Sequence, residues 1–209
     1  MSVKAVRIEV DAQVSLEAVL SRPEGRPLGT ALVLHPHPRY GGSMHNNVVD
    51  ALAAGALLAG WAALKFNFRG VGMSSGSHDD GVGEQDDAAA AMAWLRRELP
   101  GPLALMGYSF GARVATWAAA KMGPLAAGVL AAPALVLGEL GPWPPDAGPL
   151  LVLAGDQDPY TSLAGLRAYV AAAGARAQVT PLTGADHFLG GRESALSAET
   201  AKWLNNLTA

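Results

Sequence analysis

Residues 102–122 read PLALMGYSFGARVATWAAAKM. An apolar run, PLALMGY, passes almost without a break into ARVATWAAAKM, a stretch of strong helix formers. Between them stands GYSFG (107–111), a G-x-S-x-G pattern that places Ser109 on a sharp strand-to-helix turn. Glycine suits positions 107 and 111, because so tight a turn brings the strand and helix too close for side chains. A continuous apolar strand feeding a helix is the building unit of a parallel sheet covered by helices. A hydroxyl alone is a poor nucleophile at neutral pH, so the chain must also supply Ser109 with a base.

A second G-x-S-x-G, GMSSG (72–76), follows the apolar run WAALKFNF, but no helix opens after it. Seven loop-like residues (77–83) separate it from the next helical pattern, and Gly, Ser and Asp over 70–83 are the composition of a connecting loop. The overlapping GVGMSSG also falls short of a dinucleotide fingerprint: its third glycine comes one position late and no helix follows. Ser109 is therefore the expected nucleophile, and Ser74 is expected to serve a turn.

Outward from this unit the same alternation recurs. VKAVRIEV (3–10) and VSLEAVL (14–20) alternate in polarity and predict an antiparallel hairpin. Strands are predicted at 30–36, 61–68, 102–108, 126–132, 150–155 and 177–182, and helices at about 44–58, 84–99, 110–122, 162–173 and 192–206. Strands alternating with helices mean βαβ units. The expected fold is α/β: a mostly parallel, twisted sheet of about eight strands with helices on both faces, in a single domain over 1–209.

Composition narrows the function classes. Half of the 209 residues are hydrophobic and 16% are charged, as in a compact globular chain. A formal charge of −3 and the lack of a Lys/Arg-rich run argue against a nucleic-acid partner. With no cysteine there are no disulfides, thiolate metal sites or cysteine nucleophiles. The N-terminus lacks the apolar core of a signal peptide, and the most apolar stretch, 51–64, is too short for a bilayer. A cytoplasmic protein without a membrane partner is expected; oligomeric state is open.

The base should lie on a loop after a later strand. His187, in TGADHFLGG, is the one histidine beyond residue 109, and it falls between the last strand and the last helix. Four aspartates compete for the acid: Asp146, Asp156, Asp158 and Asp186. Asp186 adjoins His187, and Asp146 follows no strand. Asp156 and Asp158 both follow LLVLAG. The farther one reaches better toward an imidazole, and Pro159 restricts it to extended conformations. Asp158 is favoured, with Asp156 bracing the turn, although Asp156 assisting or replacing it stays open.

Stabilising a developing oxyanion takes two backbone N–H groups. Phe110, next to the serine, offers one. The loop after the first parallel strand, LHPHPRYGG, should offer the other; Pro36 and Pro38 have no N–H, which leaves His37 within 36–38. His35-x-His37 has chelating spacing, yet no further ligand cluster accompanies it, so neither metal nor cofactor is expected. His35 reads as a hydrogen-bonded strut, His45 as a helix-start residue and His78 as a solvated loop residue.

GYSFG, GDQD (155–158), GADHF (184–188) and HPHPRYGG (35–42) together resemble the α/β-hydrolase superfamily. HPHPRYGGSMHNNVV, FNFRGVGMSSG and GVGEQDDAAAAMAWL resemble, more narrowly, small lid-less bacterial hydrolases near its dienelactone-hydrolase and serine-peptidase-like branches. The resemblance implies a Ser109–His187–Asp158 triad with Phe110 and His37 as oxyanion donors. Dienelactone hydrolases carry a cysteine nucleophile, which this chain lacks, and the aspartate-nucleophile members are excluded by Ser109. Lid-bearing members insert a cap after the sixth strand; here Pro133 to Pro149 is too short and too rich in Gly and Pro. An open site for a small-molecule acyl substrate follows, with Tyr160 and Trp143 as candidate lining residues, unless Trp143 instead covers the core.

The leading expectation is a carboxylesterase for small or short-chain acyl esters. An amidase, peptidase or thioesterase on the same residues is the alternative, and a ligand-binding module without turnover belongs to a different class.

Overall fold

The computed structural model describes residues 1–174 and 176–207. Eight strands form one sheet in the order β1-β2-β4-β3-β5-β6-β7-β8. The strands are β1 (Ser2–Glu9), β2 (Ser15–Arg22), β3 (Thr30–Leu34), β4 (Ala62–Phe66), β5 (Leu103–Tyr108), β6 (Ala127–Ala131), β7 (Leu150–Gly155) and β8 (Ala177–Leu182). The helices are α1 (Asn47–Leu58), α2 (Gly83–Glu98), α3 (Phe110–Ala119), α4 (Leu163–Ala173) and α5 (Glu193–Asn205). β1 pairs antiparallel with β2, and β2 with β4; every other pairing is parallel.

The hairpin turns where Asp11 accepts the N–H groups of Gln13 and Val14 through one carboxylate oxygen, a local alternative to ladder bonding that Asp favours. α1 starts at Asn47, later than the periodicity suggests. The Asn46 side chain takes the N-cap by accepting from Val48 N–H, which leaves His45 outside the helix.

Consecutive residues of the central strands point to opposite faces, so each strand feeds two cores. Leu32, Leu34, Leu103 and Leu105 pack with α2, α3 and α4 on one face. Ala31, Val33, Ala104 and Met106 pack with α1 and α5 on the other. This two-sided burial explains why β3, β5, β6 and β7 read as unbroken apolar runs. Among the described residues no helix is long and apolar enough to cross a membrane.

The fold positions a site through its topology. From β3 the chain moves to β4 on one side, then returns across to β5 on the other. Loops leaving the carboxyl ends of β3 and β5 therefore diverge and open a crevice, the usual ligand position in such sheets. Between β6 and β7 lies only one short helical turn, Leu135–Leu137, and the sheet's active edge is left uncapped.

Trp143, on the same connection, does not line the crevice. It is buried, its indole N–H donates to Gly148 O, and its ring lies so close over Gly128 that a Cβ there would collide with it at 2.4 Å. The expectation that Trp143 contributes to a substrate pocket is corrected accordingly: an indole next to a glycine on a central strand buries far more apolar area than it would at the rim.

Candidate active site

Ser109 sits between the last residue of β5 and the first of α3 with φ 54° and ψ −114°. A non-glycine residue there is strained by about 1–3 kcal/mol. The surroundings enforce it. A Cβ at Gly107 would meet Gly111 O at 2.5 Å, and one at Gly111 would meet Leu34 O and His35 O at 2.5 Å. Only hydrogen fits at either position, so the strand, the turn and β3 close around Ser109 and hold its hydroxyl outward.

That hydroxyl meets His187. Ser109 Oγ lies 2.9 Å from His187 Nε2, and His187 Nδ1 lies 2.8 Å from Asp158 Oδ2. A carboxylate only accepts, so Nδ1 carries the hydrogen and Nε2 of the neutral ring is free to accept from the serine. The Asp158 side chain is fully buried, and its other oxygen accepts from Tyr160 N–H. Asp156 is turned elsewhere: its carboxylate accepts from Gly184 N–H and ties the loop after β7 to the loop after β8. Tyr108, unremarked in the sequence, donates its hydroxyl to the His187 backbone carbonyl at 3.1 Å and lies against the imidazole. Its position immediately before the serine was the available signal.

The other serine is absorbed into the fold. Ser74 Oγ donates to Asn67 O and accepts from Glu17 N–H, fastening the loop after β4 onto β2. Asn67 bridges from Met44 N–H to Glu17, and Arg69 grips Asp87 through its guanidinium.

The two residues expected to supply oxyanion donors touch through their side chains. Phe110 opens α3, where the first N–H groups lack intrahelical partners. His37 precedes the short turn Pro38–Tyr40, and its ring packs on that of Phe110 at 4.7 Å. Partial burial and the neighbouring His78 lower the His37 pKa.

His35 is wholly buried, with Nε2 accepting from Phe68 N–H and Nδ1 2.6 Å from Pro36 O. Both ring nitrogens are engaged with backbone, and burial pushes its pKa down to about 4.

His78 departs from the expected solvated loop. Its side chain is only 10% exposed, with ring nitrogens 2.7 Å from Glu84 Oε1 and 3.1 Å from Asp80 Oδ1. Both approaches are too oblique for an aligned hydrogen bond. The ring leans on His37 and Phe110, behind the expected oxyanion donors. A loop composition rich in Gly and Asp concealed this, because the rings that cover His78, those of His37 and Phe110, come from segments distant in sequence.

Around Ser109 opens a cleft of about 600 Å³. Its lining includes Pro36, His37, Tyr40, Val136, Tyr160 and Phe188, besides Tyr108, Ser109 and His187, and among the described residues no Lys, Arg, Asp or Glu lines it. Tyr160, an expected lining residue, is among the residues that line it. Tyr40 and Phe188 are additions that sequence reasoning missed.

Residues 11–137 match the X-Pro dipeptidyl-peptidase (S15) family. The chain belongs to the S15 family. That matched stretch holds Ser109 and stops short of Asp158 and His187. This S15 member is an α/β serine hydrolase, similar along nearly its whole length to two solved ones. A serine hydrolase homologue from Coxiella burnetii is 31% identical, with TM-score 0.84 over 96% of this chain and 97% of that one. The protein XC6422 from Xanthomonas campestris, a serine hydrolase without a lid, is also 31% identical, with TM-score 0.85 over 97% and 95%. The uncharacterized protein RP471 of Rickettsia prowazekii is 48% identical over 87 residues, a stretch that spans 41% of this S15 chain but only 37% of the relative.

Proposed function

We propose that the protein is a carboxylic ester hydrolase for small or short-chain acyl groups, working through an acyl-enzyme on Ser109. The observation that carries this reading is the Ser109–His187–Asp158 hydrogen-bonded chain opening into a cleft without charged lining residues. His187 Nε2 takes the serine proton as Oγ attacks the ester carbonyl carbon. Negative charge then collects on the carbonyl oxygen, where the N–H groups of Phe110 and His37 hold it. Asp158 keeps the proton on Nδ1 and stabilises the imidazolium. As the tetrahedral adduct collapses, Nε2–H protonates the departing alkoxide. Water, activated by the same imidazole, then releases the acid and restores Ser109.

The family match favours a second reading, a dipeptidyl-peptidase on the same residues. A dipeptidyl substrate brings a free α-ammonium into the cleft, and a desolvated cation requires a carboxylate partner. No Asp or Glu lines this cleft, which supports neutral esters over amino-terminal peptides.

The test compares p-nitrophenyl acetate and butyrate with alanyl-prolyl p-nitroanilide. Ester turnover well above anilide turnover, with fluorophosphonate labelling of Ser109, is the expected result. Faster release from the dipeptide anilide overturns the ester reading.

A further inference from the structure

We propose that Tyr160 and Phe188 form a subsite for an aromatic leaving alcohol, so that the preferred substrates join a short acyl group to a benzyl-type alcohol. The inference rests on the ester reading above and gives it a substrate class.

Large apolar side chains are seldom left in water without a reason when they gather in one patch. Tyr40, Val136, Leu137, Tyr160 and Phe188 are all exposed, and all line the cleft around Ser109. They come from the loops after β3, β6, β7 and β8, so the tertiary fold has assembled the patch from four separate segments.

The backbone directs Phe188 outward. Phe188 N–H is held by Asp186 Oδ1, and the next residue, Leu189, adopts φ 53° with its side chain fully buried. A leucine in the left-handed region is strained. That conformation plugs Leu189 into the core and leaves Phe188 63% exposed above it. Tyr160 is 43% exposed beside it, its backbone fixed by its N–H bond to the buried Asp158 carboxylate.

Mechanism then assigns these rings to one half of the ester. The leaving oxygen must take its proton from His187 Nε2, so the alcohol portion lies beside the imidazole when the bond breaks. The exposed rings against that imidazole are Tyr160, edge-on at 5.0 Å, and Phe188, edge-on at 5.9 Å. Tyr108, also in contact, is buried beneath. Tyr40 instead packs on His37, on the oxyanion side. The lining of the cleft around Ser109 offers an ionised alcohol no charged partner among the described residues, and aromatic walls favour a ring that can stack or meet them edge to face over an aliphatic group of equal bulk.

The experiment uses the full chain and the acetates of benzyl alcohol, cyclohexylmethanol and methanol. The expected kcat/KM for benzyl acetate exceeds that for cyclohexylmethyl acetate by ~2–12-fold, the range that aromatic pairing supplies beyond buried area. Phe188→Leu and Tyr160→Leu should each move this ratio toward one, whereas Phe188→Tyr and Tyr160→Phe should retain it. A purely structural role for either residue would depress all three esters alike and leave the ratio intact, which overturns the proposal. So does a ratio of one in the unmodified protein. A ring preference that follows the acyl half, read with methyl phenylacetate against methyl cyclohexylacetate, and not the alcohol half, overturns the assignment too. Failure to hydrolyse any of these esters defeats the ester reading itself, and this proposal with it; turnover without ring preference defeats the proposal alone.

Discussion

Asp158 and His187 are 29 residues apart in the chain and 2.8 Å apart in space, joined through a fully buried carboxylate oxygen. Asp156, two residues nearer the strand, spends its carboxylate on Gly184 N–H instead. Two aspartates on one loop thus hold the same pair of loops together by different means, one through a side chain and one through backbone. Asp158→Asn should lower kcat by about 10⁴, because an amide leaves the imidazole in the wrong tautomer. Asp156→Asn should leave most of kcat and cost about 1 kcal/mol of stability. Parallel kinetics and urea unfolding of both variants check the contrast; equal losses of kcat would refute it.

The two G-x-S-x-G serines should separate as cleanly. Ser109→Ala should abolish fluorophosphonate labelling and nearly all turnover. Ser74→Ala should keep labelling while losing about 1–3 kcal/mol of stability, since Asn67 O and Glu17 N–H lose a buried partner. Intact-mass spectrometry after labelling, with thermal unfolding, reads both effects.

Gly107→Ala and Gly111→Ala should each destabilise by about 2–3 kcal/mol or fail to fold, because the added methyl meets backbone carbonyls at 2.5 Å that cannot yield like a side chain. Gly190→Ala, with open space around its Cβ position, serves as the control and should be nearly neutral. Denaturant midpoints rank the three.

His35 predicts a pH dependence of stability. Its folded pKa of about 4 lies below the ordinary histidine value of 6.5. Between those values the unfolded chain binds the proton and the folded one does not, so stability falls as pH drops from 6.5 toward 4. Above 6.5 the contribution is fully present; below 4 it is gone. The gap amounts to roughly 3 kcal/mol at most. His35→Gln, which cannot titrate, should be less stable than the unmodified protein at pH 7 and show a shallower loss toward pH 4. Thermal unfolding across that window checks it; parallel curves would refute the assignment.

Local pattern carried much of the architecture. An apolar run as short as TALVL (30–34), flanked by Gly29 and Pro36, reads as a strand covered on both faces, and β3 is buried throughout. Gly107 announced the turn around Ser109 because its steric demand is local, against Gly111 O, whereas the demand at Gly111 comes from Leu34 and His35 on a distant strand. Asn46 moved the start of α1 by competing locally as a cap, a detail that apolar periodicity does not register.

Side-chain direction beyond a strand end was another matter. The sequence placed His187 and two aspartates on neighbouring loops, but which carboxylate faced the imidazole depended on the packing of β7 against β8. Trp143 packs in the core over a glycine 15 positions away, and His78 is covered by the His37 and Phe110 rings from segments remote from it in sequence. Backbone conformation follows from neighbours along the chain, whereas the company a loop side chain keeps is chosen by contacts that exist only once distant segments have closed around it.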